Sequence, residues 1–343
     1  MIRGATTRGL LAIAAAIAVL TPHARAAEPT DRIWFCPGPG TLDYARLFQH
    51  PEEWPRARGL IDVFKVYQGH TQTPPPVSFL PDSFDAFASA GVYRTLTQWN
   101  KKIAIEAGAV KEFYCTPDAS GMQAAIGNTL DSIRAVQSAG GTVSYIAMDE
   151  PFVSGRSKTC GGPALDPTAD RVAQYMTAVT AAFPSVRVGL IEAYPFSSAA
   201  AIESAVQLLK ARGTTPVFLH MDVDWHLAGA AAFKRDMAAL QSFAASQSIP
   251  FGIIITGYSG DANALYAVDV GGIVDLISET FGTWNHMPDQ LIFQSWAQSY
   301  TGQLITPSNL PENQLYTHTH MLWEELRRLK GTTGNPTGTA IRR

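Results

Sequence analysis

The feature that most limits this chain is a regular alternation of two kinds of segment. Short apolar runs recur eight times: Arg32–Cys36, Ile61–Tyr67, Lys102–Glu106, Val143–Met148, Val186–Ile191, Val217–Met221, Phe251–Thr256 and Leu291–Trp296. Runs this short, rich in branched and aromatic residues, read as strands. Longer stretches separate most of them, among them Met122–Ser138, Thr168–Phe183, Ala199–Arg212, Ala228–Ser248 and Ala262–Phe281. Their apolar residues return every three or four positions, as in Ile126, Leu130, Ile133 and Val136, which predicts helices. Gly140-Gly141 and Gly213 follow two of them where C-cap glycines belong. Strands joined by helices run parallel, and the helices cover the sheet. Eight such units over residues 27–330 predict an α/β fold, a single (β/α)8 barrel. An open doubly wound sheet is the rival, but no G-x-G-x-x-G follows the first strand.

The two ends of the chain fall outside this pattern. Arg3 and Arg8 precede an apolar run, Leu10–Leu20, which Pro22 breaks before Ala24-Arg25-Ala26. A basic start, a short apolar run and an A-x-A site define a secretory signal peptide, residues 1–26. The run is too short to span a bilayer, and no later stretch reaches the required length. An exported protein, periplasmic or extracellular, is therefore expected. Residues 331–343 are polar and rich in Gly, Thr and Pro, and read as a disordered tail. Segment Pro311–Leu329 reads as a last amphipathic helix.

Composition narrows the partners. Hydrophobic residues make up 46% and charged residues 16%, enough to fill a core and too apolar for global disorder. Without residues 1–26 the chain has 23 basic and 29 acidic residues, an acidic balance that excludes a nucleic-acid footprint. A monomer without a cofactor is expected. The three cysteines, Cys36, Cys115 and Cys160, form no C-x-x-C pair. In an oxidising compartment one disulfide and one buried thiol are expected. Cys115 and Cys160 lie in loops after consecutive strands, so they are the expected pair, with Cys36 buried.

Barrel chemistry sits at the C-terminal ends of strands, and acids collect there. The third strand runs into Glu106, the fourth into Asp149-Glu150-Pro151, the fifth into Glu192-Ala193-Tyr194, and the sixth into Asp222-Val223-Asp224-Trp225. Carboxylates directly after apolar strand residues are costly unless paired or used. Each alone reads equally well as a helix cap or structural ion pair. Together they resemble what glycosidic cleavage needs, one carboxyl protonating the leaving oxygen and another attacking or activating water. Trp34, Tyr67, Tyr194, Trp225 and Trp296 are candidate faces for sugar rings, with Lys65, Glu106, Asp149, Asp222 and Asp224 as polar contacts.

Asp149-Glu150-Pro151 resembles the Asn-Glu-Pro after the fourth strand of the (β/α)8 clan of retaining glycoside hydrolases, and Gln294-Ser295-Trp296 resembles that clan's last strand. The resemblance implies that Glu150 is the acid/base. It departs at the seventh strand, which ends Thr256-Gly257-Tyr258 where the clan carries its nucleophilic Glu. The second carboxylate must then lie elsewhere: Glu192 first, Asp222 second, with a substrate-assisted route through Asp149 as a third option. Two other classes stay open. A carbohydrate-binding barrel without catalysis fits the missing acid. A metal-dependent hydrolase fits His220, Asp222, Asp224 and His226, which alternate along one strand, although the first strand has no H-x-H. Gly257-Tyr258-Ser259-Gly260 falls short of a nucleophile elbow.

Overall fold

The computed structural model describes residues 31–38, 41, 43–73, 83–113, 119–155, 164–258, 263–295 and 307–331. The signal segment, Cys115, Cys160, Trp296 and nearly all of the tail lie outside them.

All eight expected strands form: β1 (Ile33–Cys36), β2 (Val63–Tyr67), β3 (Lys102–Ala107), β4 (Val143–Asp149), β5 (Arg187–Tyr194), β6 (Leu219–Val223), β7 (Phe251–Ile255) and β8 (Gln290–Gln294). Each pairs in parallel with the next, and β8 closes on β1. The fold is a single closed (β/α)8 barrel. Described helices are α1 (Arg46–Gln49), α2 (Pro55–Leu60), α3 (Phe84–Ser89), α4 (Val92–Gln98), α5 (Val110–Phe113), α6 (Ala119–Ser138), α7 (Pro151–Gly155), α8 (Leu165–Ala182), α9 (Ala199–Ala211), α10 (Ala230–Ser246), α11 (Asn263–Phe281) and α12 (His318–Gly331). None of them is long and apolar enough to cross a membrane. Gly140 and Gly213 adopt φ of 82° and 75°, the left-handed conformation that ends a helix and favours glycine.

Alternation along each strand builds two cores. Ile33, Phe35, Phe64, Val66, Ile103, Ile105, Ile146, Met148, Val188 and Leu190 point outward and pack under the helices. Trp34, Val63, Ala104, Tyr145, Ala147, Ile191, Phe218, Ile254 and Ile292 point inward and fill the barrel. Trp34 sits at the centre, its ring 5.3 Å from Tyr145, 5.1 Å from Phe218 and 4.9 Å from His220. Gly189 and Gly252 make room for these rings. A Cβ at Gly189 would run into Phe218, and one at Gly252 would lie 2.7 Å from His220.

Three expectations are corrected by this layering. Trp34 is no sugar platform. It is the second residue of β1, one layer below the mouth, fully buried, with Nε1 donating to Asp31 O at 2.8 Å. His220 is also interior, its Nε2 paired with Gln290 Oε1 at 2.6 Å, and burial pushes its pKa down to about 3. The proposed His-Asp-Asp-His face therefore does not converge. Tyr194 faces outward, packs in the outer core and donates its hydroxyl to Asp236 of α10 at 2.7 Å.

Candidate active site

The top inward layer is polar. Register carries it around the barrel: Cys36 pairs with Gln294, Tyr67 with Glu106, and Asp222 with Ala193. Glu106 is level with Ala147, one inward step below Asp149 on β4. Lys65, Tyr67, Glu106, Asp149, Asp222 and Gln294 thus share the mouth end of the interior, because they sit two residues beyond apolar inward residues.

Lys65 forms the floor. It is fully buried and donates to both Glu106 Oε2 and Gln294 Oε1. Burial disfavours its charge, but Glu106, Cys36 and Asp222 hold its pKa above the usual lysine range. Tyr67 donates its hydroxyl to Ser295 O at 2.6 Å. Cys36 is buried and free beneath them, and burial pushes its thiol up to about 12. The floor is a structural ion pair and its partners, not an open sugar platform.

Above it the end of β4 is held in a conformation that L residues rarely adopt. Glu150 has φ 48°, at a cost of roughly 1–2 kcal/mol for a non-glycine residue. It also precedes a proline, which disfavours helical backbone. Two bonds hold it: its N–H donates to Ile191 O at 3.0 Å, and its carbonyl accepts from Ser154 N at 3.1 Å. Strain maintained against such preferences marks a residue whose direction matters. Lys111 of α5 reaches across, placing Nζ 2.8 Å from Asp149 Oδ2 and 3.0 Å from Glu150 Oε2. Burial first, then the Asp149 charge, raise the Glu150 pKa against the opposing Lys111 ammonium. On β6, burial followed by Glu150, Asp149 and Glu106 pushes Asp222 well above the ordinary carboxylate range. Two carboxyls of raised pKa therefore face one mouth from β4 and β6.

Glu192, the first expected partner of Glu150, is not in that mouth. β5 runs on past Ile191 to Tyr194, so Glu192 lies within the strand rather than at its end. It is level with Met221, an outward residue, and is fully buried. Its two oxygens accept from Phe152 N at 2.7 Å and Val153 N at 3.1 Å, the first turn of α7. Glu192 is a cap supplied by a neighbouring strand. Burial pushes its carboxyl up to about 8, against those two hydrogen bonds and with Glu150 and Asp149 adding to it.

Asp224 is also structural. Its N–H donates to Tyr194 O at 2.7 Å, and its Oδ1 accepts from His226 N at 3.0 Å, closing the turn after β6. Trp225 packs on Phe233 of α10, ring centres 5.2 Å apart. Trp296 lies outside the described residues. Lys111 and Gln294 were missed as site residues. Gln294 was legible, two positions beyond the inward Ile292, whereas nothing in the sequence near Lys111 marks it. At the opposite end of the barrel a cavity of about 630 Å³ is lined by Asp31, Asp62, Lys101 and Lys102 among others. Those groups are already engaged, Lys102 with Asp31, Lys101 with Ile61 O and Asp62 with Ile33 N.

No protein-family model matches the chain, and no curated protein does. Solved structures do. An endo-β1,6-glucanase aligns over 88% of this chain and 77% of its own at 11% identity, with a TM-score of 0.56. A glucosidase from Croceicoccus marinus aligns over 88% and 68% at 13% identity, TM-score 0.53. A GH10 xylanase from Thermobacillus composti aligns over 89% and 97% at 12% identity, TM-score 0.52. At such identities the likeness is one of fold. The chain has a (β/α)8 barrel of the glycoside hydrolase-like type.

Proposed function

We propose that this protein is an exported glycoside hydrolase acting on a poly- or oligosaccharide, with Glu150 as general acid and Asp222 as the partner carboxylate. The observation that carries the reading is Glu150 held at φ 48° at the end of β4, with its carboxyl turned to Lys111 and its pKa raised. A raised pKa keeps an acid protonated where it must donate. The comparison proteins' printed activities on glycans favour the same chemistry. Glu150 protonates the glycosidic oxygen as the C–O bond breaks. Asp222, ionised, attacks the anomeric carbon or takes a proton from the attacking water. β4 and β6 are two strands apart, about 9.6 Å at the usual spacing, which fits the wider gap of an inverting pair. Asp149 holds Lys111 and shapes the site, and Lys65, Tyr67 and Glu106 set its floor. The signal-like residues 1–26 support export. In an oxidising compartment a Cys115–Cys160 disulfide completes the mouth, and the enzyme acts as a monomer without a cofactor.

The test uses a panel of neutral glycans and aryl glycosides. Glu150→Gln should lose about 10²–10⁴-fold in kcat on unactivated glycosides. It should lose far less on a dinitrophenyl glycoside, whose leaving group needs no proton. Full activity of Glu150→Gln on the natural linkage would overturn the assignment. The absence of a carboxylate at Thr256, the residue after β7, favours one second reading, a barrel that binds sugar without cleaving it. Calorimetric binding with no turnover by the intact protein would establish that instead.

A further inference from the structure

We infer that Lys111 is a positioning residue that directs the Glu150 carboxyl and sets which carboxyl of the Asp149–Glu150 pair carries the proton. The inference rests on the reading of Glu150 as the acid. Its basis is geometry. Asp149 and Glu150 are consecutive, so two carboxylates share the end of one strand, yet a single ammonium meets both, at 2.8 and 3.0 Å. That ammonium comes from a different βα unit. Lys111 sits in α5, just after Ala109, which itself has φ 48°. Its own N–H donates to Gly108 O at 2.8 Å, and α5 packs against α7, the helix that begins at Pro151 beside Glu150. The strained end of β3 and the strained end of β4 are thus brought together with Lys111 as the link.

The other charged groups near Glu150 make this link selective. Glu106 on β3, Asp222 on β6 and Glu192 on β5 are all acids that disfavour a charge on Glu150 or share its field. Lys65 on β2 is already bound to Glu106 and Gln294. Among the described residues Lys111 is the cation that touches Glu150. While Glu150 holds its proton, the ammonium is kept in place by Asp149. When that proton passes to the glycosidic oxygen, and the electrons of the breaking C–O bond go to the same oxygen, Glu150 becomes an anion beside an ammonium already in position. Lys111 keeps its three protons throughout and transfers none.

The experiment reads Glu150 directly, without substrate. Carbon-13 carboxyl NMR follows its titration in the whole mature protein, with the Glu150 signal assigned by its loss in Glu150→Gln. Lys111→Met removes a unit charge about 3 Å away, which shifts a carboxyl by about one pH unit even under water-like screening. The Glu150 midpoint should therefore rise by about one unit or more in Lys111→Met and return to the wild-type position in Lys111→Arg. Lys111→Gln serves as a second neutral variant should the methionine variant fail to fold. If the wild type cleaves glycans, the alkaline limb of kcat/KM should rise with the midpoint, because the acid stays protonated to higher pH. A midpoint unmoved in a folded neutral variant would overturn the inference. A midpoint that moves in a protein with no turnover would overturn the glycosidase reading and leave this inference standing.

Discussion

Glu192 shows how much one residue's direction decides. Its carboxylate is one strand away from Glu150 and equally acidic in sequence, yet it faces the helical layer and binds two backbone N–H groups of α7. Its expected effect is therefore on stability. Glu192→Ala leaves two buried donors without their acceptor, at about 1–3 kcal/mol each at most. The denaturant midpoint should fall accordingly, while kcat of the folded fraction changes little. A loss of kcat comparable to that of Glu150→Gln, with an unchanged midpoint, would return Glu192 to the catalytic pair. Asp222 has the opposite fate. Its position on β6 is one of the inward ones, which alternation from His220 made legible.

At the scale of elements, the eight strands were legible because each is short, apolar and bounded by Gly, Pro or a charged residue. Boundaries were less so. β5 was expected to stop at Ile191 and runs three residues further, since Glu192, Ala193 and Tyr194 keep pairing with Met221, Asp222 and Val223 of β6. Short helices such as α5 and α7 were not anticipated, because four or five residues carry no helical period. Yet these two hold Lys111 and cap Glu150. The strands also need small residues where interior rings are large. Gly189→Ala should destabilise the barrel by about 1–3 kcal/mol, because the added methyl meets the Phe218 ring in a packed interior. Thermal unfolding measures this, and an unchanged midpoint would mean that Phe218 and Trp34 can repack.

Over the whole molecule, closure depends on contacts between the chain's two ends. Glu312, near the C-terminal end of the described chain, is buried and caps α2. Its Oε1 accepts from Arg56 N at 3.2 Å and Nε at 2.9 Å, and its Oε2 from Ala57 N at 2.8 Å. Pro55 opens that helix, so its first N–H groups depend on a distant acceptor. The segment Pro311–Leu329 was expected to be helical throughout, but α12 begins only at His318. Before it, a turn is held by Thr317, whose Oγ1 donates to Pro311 O at 2.9 Å. Glu312→Ala should cost about 2–4 kcal/mol, since it strands a guanidinium and two backbone donors. Chemical denaturation should register that loss without a change in KM. A loss of substrate affinity at full stability would instead place Glu312 at the mouth.

By itself the sequence determined the architecture and the neighbourhood of the chemistry. Strand length, helical period and their eightfold alternation leave few arrangements other than a parallel barrel, and a parallel barrel presents its strand ends as the mouth. Glu106, Asp149, Glu150 and Asp222 were identifiable on those grounds. What only the tertiary structure decided is which way each side chain points and what it meets. Strand alternation has a period of two, so an error of one or two residues in a strand's end exchanges inside for outside, as happened at Glu192 and Tyr194. Ion pairs such as Lys65 with Glu106 and Lys111 with Glu150 join residues some 40 positions apart. Such contacts are set by barrel closure and by the backbone strain it can hold, and no local pattern in the chain encodes them.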